Sequence, residues 1–500
     1  MISRTIDFND LLKTANLVVA ILLVFTFWRM GGNEFIDEES IVLAILLCIQ
    51  THIALRIERR RRDPFVILLA FDMILFYCFR IVTLTIYPYS LAFGRIQFDS
   101  GNSNYALIFI FVANTILYTG LYVAGVGKSP SIDSNGWRAT SPVRVILLML
   151  AAIIFAYFST SYWNEDTIPR GLSFLALFLA PGITILMSLS YYLLFRKTLS
   201  RKFALSIISL IVADAVIHSL LGSRGAIVVI VQNIIVVSLS VMGCITLRRK
   251  YVWLGIALMP AAAALLVGTF VISTYIRSAN DTGRTLELGR ALELAGDPDS
   301  ALSAGTELEL ILPPIADRAG YFDYSADIIA HRDEYASVLN LSTYGKSIID
   351  NILTPGWDVY DQPKISNALR FIYQALGRPS KQWVTADNYQ SDQIGIYGEF
   401  YGLFAYACLP LMFVVAFAFK RIYLRLTSWN PFFLAMKRGI VLFAFVWTLD
   451  SYGVDWNILQ VLPLVVAIFI YGPFFSSERV RNMKVDRILG PLPSPNQFFR

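Results

Sequence analysis

Seven charged side chains carry the chemistry that this chain offers. Arg224, Arg277, Arg318 and Arg332 are suited to gripping an anion, and His331, Asp323 and Glu399 to accepting a proton. Arg224 sits in Gly222-Ser223-Arg224-Gly225-Ala226, a tight turn between two apolar runs, and Arg277 closes Ser273-Thr274-Tyr275-Ile276-Arg277, where another apolar run gives way to a polar stretch. A planar guanidinium engages two phosphate oxygens at once, so two arginines at the mouths of apolar segments point to a shared phosphorylated ligand. Charge of both signs is dense in Asp317-Arg318, in Asp323 and in His331-Arg332-Asp333-Glu334. His331 is the one histidine in polar surroundings, His52 and His218 lying in apolar runs, and imidazole is the commonest general base. Glu399 stands where the polar stretch enters the next apolar run. Each residue also has a plainer reading. Arg224 is then an interfacial arginine with its stem along lipid, Arg332 to Glu334 a solvated helix face, and Glu399 a carboxylate beside a helix N-terminus.

The elements that position these residues are set by a second solvent. A content of 56% hydrophobic and 16% charged residues, with a mean hydropathy of +0.58, is too apolar for a surface that faces water throughout. About 20 apolar residues cross a bilayer as a helix, and continuous Leu/Ile/Val-rich runs of that length recur along the chain. A transmembrane β-barrel would show short alternating segments instead. The runs predict about twelve helical spans, at 15–28, 40–57, 64–87, 104–126, 143–161, 172–195, 203–221, 226–246, 252–275, 397–419, 433–450 and 458–474. The fold class expected is therefore an all-α polytopic membrane bundle. The first apolar run has no small-residue cleavage site and is followed by Trp28-Arg29, so it is expected to remain as an anchor.

Basic clusters occupy every second connection: Arg59-Arg60-Arg61-Arg62, Lys128 with Arg138, Arg196-Lys197 with Arg201-Lys202, Arg248-Arg249-Lys250, Lys420-Arg421 with Arg425, and the tail from Arg479. The intervening loops hold single arginines such as Arg29, Arg95, Arg170 and Arg224. By the positive-inside bias both termini are cytoplasmic and the long stretch 278–393 is external. The organisation that follows is spans one to nine in 1–275, an external loop in 276–396, spans ten to twelve in 397–475 and a basic tail in 476–500. The net charge of +6 is thereby a matter of topology, and nucleic-acid binding is not expected.

A connection longer than about a hundred residues is too long for a mere linker. Its apolar residues recur three and four apart in 285–294 and 325–331, the spacing of amphipathic helices, and Pro313-Pro314, Thr354-Pro355-Gly356 and Arg378-Pro379 punctuate it. A helical cap over the membrane domain is expected. Cys48, Cys78, Cys244 and Cys408 all lie in apolar runs, so the loop has no disulfide, and it holds a single histidine. No metal and no cofactor is expected.

In order and topology these features resemble the O-antigen polymerases, the Wzy-type family that polymerises oligosaccharide repeat units in bacterial envelopes. The resemblance covers roughly 203–419. It rests on Gly222-Ser223-Arg224-Gly225 between spans, Arg277 opening the external loop, Tyr344-Gly345-Lys346-Ser347, Leu353-Thr354-Pro355-Gly356, Gln362-Pro363-Lys364 and Gly398-Glu399-Phe400-Tyr401. The chain departs from the family pattern at Gly402-Leu403-Phe404-Ala405, where an Asn-Phe-Gly type sequence is usual, and at Pro355-Gly356, where Pro-Arg is usual. The resemblance implies a GT-C-like membrane glycosyltransferase of the bacterial inner membrane that acts on polyprenyl-diphosphate-linked oligosaccharide at the external face. It implies diphosphate binding by Arg224, Arg277, Arg318, Arg332 and Tyr401, a base among His331, Asp323 and Glu399, and a flippase and a chain-length regulator as partners besides the bilayer. An O-antigen ligase-type glycosyltransferase shares this chemistry. A lipid-linked oligosaccharide flippase or other transporter would place more charges deep in its spans than Asp72, Arg80, Asp214 and His218. A structural scaffold would need no external arginines.

Overall fold

The computed structural model describes residues 5–58, 63–86, 97–125, 137–139, 201–220, 320–353, 394–428 and 431–450, with shorter pieces between 143 and 154, between 235 and 257, at 359–360 and between 458 and 477. The described chain is helical. Five segments among these residues are long and apolar enough to cross a membrane: Phe8–Met30, Glu38–Ile57, Pro64–Ile86, Ser100–Val123 and Gly395–Arg425. They coincide with the first four expected spans and the tenth. The seventh falls on the helix Arg201–Leu220, whose apolar part is Leu205–Asp214, and the eleventh on the helix Pro431–Asp450. The sixth, and all but short pieces of the fifth, eighth, ninth and twelfth, lie outside the described residues.

Local chemistry sets where the first helices begin and end. Helix α1 (Phe8–Met30) starts at Asp7, whose carboxylate accepts from Asn9 N at 3.1 Å, and stops at Gly31 with φ of 69°. Helix α2 (Glu38–Glu58) follows Asp37, which accepts from Ser40 N at 2.8 Å. Helix α3 (Pro64–Asp72) pairs an Asp63 cap with proline at its first position, then passes through a π-helical segment, Met73–Cys78, into α4 (Phe79–Ile86). Helix α5 (Ser100–Val123) is capped by Asp99. Four three-residue strands, which the hydropathy pattern does not signal, pair as two antiparallel ribbons, Thr5–Asp7 with Thr246–Arg248 and Trp137–Ala139 with Phe475–Ser477.

The helices run up and down between two ends that differ in kind. At one end Asn33 donates to the carbonyls of Leu84 and Thr85, Ser100 N donates to Glu34 O, and Asn104 donates to Asp37 at 3.1 Å. At the other end Asn9 donates to Leu55 O, Lys420 pairs with Asp63, and Arg421 donates to Ala124 O. Lys420, Arg421 and Arg425 at the end of the helix Cys408–Arg425 belong to this second end, and the ribbon with Thr5–Asp7 brings Thr246–Arg248 to it as well.

Between the ends, helices meet through polar contacts and small residues, as apolar lipid gives them no hydrophobic reason to associate. Asn16 donates to Cys48 O at 2.8 Å, and Asn114 donates to Gln50 while accepting from Tyr397 OH at 3.2 Å. Gly120 of α5 lies against the helix α11 (Cys408–Arg425, labelled in chain order with α6 to α10 below), where an added Cβ would stand 2.7 Å from Phe413 O. Backbone cannot yield as a side chain can. Gly120→Val is therefore expected to separate α5 from α11 and cost about 1–3 kcal/mol, read as a lower melting midpoint of the purified protein; an unchanged midpoint would mean that the two helices do not meet here.

Candidate functional site

Between Arg201–Leu220, which is α6, and α11, four helices belong to the region around the site: α7 (Tyr321–Ala330), α8 (Arg332–Tyr335), α9 (Leu341–Ile348) and α10 (Gly395–Phe404). Expected as part of an amphipathic cap, α7 is instead buried along its whole length from Tyr321 to Ile329, against α10, α5 and the π-helical segment. Three glycines of α10 make the room. A Cβ on Gly398 would meet Ser325 Cα at 3.0 Å, one on Gly402 would meet Leu339 Cδ1 at 2.5 Å, and Gly395, with φ of 68°, faces Tyr321 and Tyr77. Gly402 thus has a packing role against Leu339. Tyr321 stacks on Phe76 with ring centroids 4.2 Å apart.

A buried helix needs partners for its charges. The first carboxylate of α7, Asp323, accepts from Arg80 Nε at 3.0 and 3.1 Å and from its Nη2, with both side chains out of contact with solvent. Burial pushes the Asp323 carboxyl up, and the Arg80 guanidinium pulls against it. Arg80 belongs to α4, near the end of the bundle where Asn33 meets Leu84, so α7 is tied into that end. Its acceptor sites committed to a guanidinium, Asp323 is placed as a strut between α7 and α4, which differs from the exposed carboxylate that a base in an open loop requires.

One turn further on, Asp327 is fully buried and accepts from His331 Nδ1 at 2.9 Å and from Tyr335 OH at 2.6 Å. The carboxylate can only accept, so Nδ1 carries the hydrogen and in the neutral ring the lone pair lies on Nε2. The His331 side chain is 28% exposed. A buried carboxylate behind a partly exposed imidazole fixes tautomer and ring orientation together, the arrangement that a histidine base uses.

Glu399 is 2% exposed and accepts from Tyr344 OH at 2.6 Å. The helix begins at Gly395, so Glu399 is past its first turn and the reading of it as an N-terminal carboxylate is replaced by this pairing. Arg332 is half-buried at the edge of the solvated face: its Nε donates to Tyr401 O at 3.3 Å, while its Nη1 reaches toward the fully exposed Asp333. Tyr401 OH lies 3.2 Å from Tyr105 OH, which also contacts Tyr406 OH. The structure therefore brings Asp323, His331, Arg332, Glu399 and Tyr401 onto α7, α8 and α10 at one end of the bundle. Arg224, Arg277 and Arg318 lie outside the described residues.

Four residues of this site escape the sequence reading. Asp327 and Tyr335 flank His331 four residues to either side, a helical spacing that was a readable signal. Arg80 is a charge inside an apolar run, itself a mark of function or of a hidden partner. Tyr344 carries no signal beyond its place in Tyr344-Gly345-Lys346-Ser347. Comparison of the chain with protein-family models, with curated proteins and with solved structures finds no match.

Proposed function

We propose that this chain is a Wzy-type polymerase, joining polyprenyl-diphosphate-linked oligosaccharide repeat units at the external face of a bacterial inner membrane. The observation that carries the reading is the Asp327–His331 pair, an oriented imidazole on a helix embedded in a membrane bundle. A donor held on a lipid must react where the bilayer meets water, and α7 and α8 bring a base to the end opposite the basic connections. Taking those connections as cytoplasmic puts the pair outside and both termini inside.

In the proposed step the acceptor hydroxyl oxygen attacks the anomeric carbon of the donor. His331 Nε2 takes the hydroxyl proton, and the bond to the diphosphate breaks with its electron pair leaving on the polyprenyl diphosphate. The charge that develops there is met by Arg224 and Arg277, with Arg318 as a third cation. Arg332 is held by the Tyr401 carbonyl near the acceptor side, and Glu399 serves as a second buried carboxylate rather than the first base. Asp323 acts as a positioning residue. A flippase needs neither an oriented histidine nor a leaving-group site, and a ligase would use the same machinery on a finished glycan.

The separating experiment is the surface glycan of a deletion strain. A polymerase is expected to leave single repeat units, with the full ladder restored by the wild-type chain. Loss of all external glycan would indicate a ligase or flippase instead and overturn the assignment.

A further inference from the structure

Asp72 is buried, 4% exposed, and neither of its carboxylate oxygens has a hydrogen-bond partner. It closes α3, nine residues into the segment Pro64–Ile86, well inside the apolar run. The π-helical segment Met73–Cys78 begins directly after it, and such insertions are frequent at functional sites. In π-helical winding, residues five apart come round to nearly the same face, which turns Tyr77 toward the side of Asp72. The Tyr77 hydroxyl is also buried, packed on Gly395 with Ser325 as its hydrogen-bonding neighbour.

The groups that share its surroundings are of one kind. From helix α12 (Pro431–Asp450) Asp450 lies within electrostatic range, from the π-helical segment Tyr77, from α5 Tyr118 and from α10 Tyr397, while α2 presents Cys48 to Cys78. None is a cation, and Arg80, two turns along the same segment, is taken by Asp323. An isolated carboxylate ion in such a place is held only if it is paired or neutral. Among the described residues no three His, Cys, Asp or Glu side chains converge here, whereas a hard metal cation takes six or more oxygen ligands. A proton needs one.

We propose that Asp72 is a proton-binding site in the middle of the membrane bundle, held as the neutral acid in the folded protein and free to ionise only when the π-helical segment moves. The proposal stands whatever reaction the external site performs. Through Tyr77 on Gly395 the same segment touches the start of α10, so loss of the proton would be felt at the helix that carries Glu399 and Tyr401.

The test compares the purified full-length wild type with Asp72→Asn, and with Asp72→Ser should the first variant not fold. Infrared difference spectra at neutral pH are expected to show the C=O stretch of a protonated carboxylic acid that disappears in the variant; carboxylate stretches in its place would overturn the proposal. The pH dependence supplies the second reading. A carboxyl neutral in the folded state and ionised in the unfolded one means that the folded state binds more protons, so stability falls as pH rises. From about pH 5 to about pH 8 the wild-type folding equilibrium is expected to weaken relative to the variant's by up to about tenfold per pH unit, the limit for one proton. A wild-type-to-variant difference independent of pH, or one that grows toward acid, would overturn it.

Discussion

Replacing His331 with Gln is expected to lower polymer formation by on the order of a hundredfold or more while the protein remains inserted at wild-type abundance, because a positioned base typically contributes 10²–10⁴-fold. Glutamine keeps the size and polarity of imidazole without its basic nitrogen. Asp327→Asn acts at one remove: an amide can donate to Nδ1 as well as accept from it, so the ring no longer has one tautomer. With purified protein and lipid-linked repeat units, Asp327→Asn is expected to reduce kcat strongly and leave KM nearly unchanged, since the ring it orients acts in the transition state rather than in binding. Tyr335→Phe removes one donor to the same carboxylate and is expected to cost about tenfold, in line with one hydrogen bond to a charged group. A His331→Gln protein that still builds the full glycan ladder at matched abundance would sink the assignment of the base.

The Arg80–Asp323 pair predicts effects of a different sort. Removing either partner strands the other charge inside the bundle, and breaking a buried pair costs about 3–5 kcal/mol. Arg80→Leu and Asp323→Leu are each expected to deplete the protein from the membrane and lower its melting midpoint sharply. The double variant leaves no stranded charge and is expected to recover most of that loss, since apolar replacement of a buried pair is often neutral. Its activity decides the role of Asp323. A stable double variant that makes polymer identifies a strut, whereas a stable and inactive Asp323→Leu single variant would return Asp323 to the list of bases.

Membrane segments are the part of this protein most legible in its sequence, because length and hydropathy in a span have one dominant cause. The caps Asp63 and Asp99 and the stop at Gly31 lie near the expected boundaries for equally local reasons, whereas the Asp7 cap starts α1 at Phe8, well ahead of the expected start at 15. Long-range placement was not legible. The spacing of Ile328 and Ile329 describes a helix with one apolar face, yet α7 is buried on all sides, since Arg80 and the α10 glycines satisfy faces that look polar or empty in the string. Asp323 reads as a reactive carboxylate until its partner, far upstream in an apolar run, is known. His331 stood out by its rarity, while the Asp327 that gives it a use looked like one more charge in a polar loop. The two strand ribbons are too short for any periodicity to announce them.

The separation between Arg80 and Asp323 also has a cost in time. The two residues are 243 positions apart, and at about 5–20 residues per second a ribosome takes roughly 10 to 50 s to travel between them. Throughout that interval the newly inserted segment Pro64–Ile86 holds a guanidinium whose carboxylate has yet to be synthesised, and the glycine seam of α10 that receives α7 is made later still. The nascent bundle must therefore keep Arg80 near the water-facing rim, or in contact with the insertion machinery, until Asp323 arrives. Truncated chains that end before Asp323 would be caught in that waiting state, and are expected to be the substrates on which membrane quality control acts first.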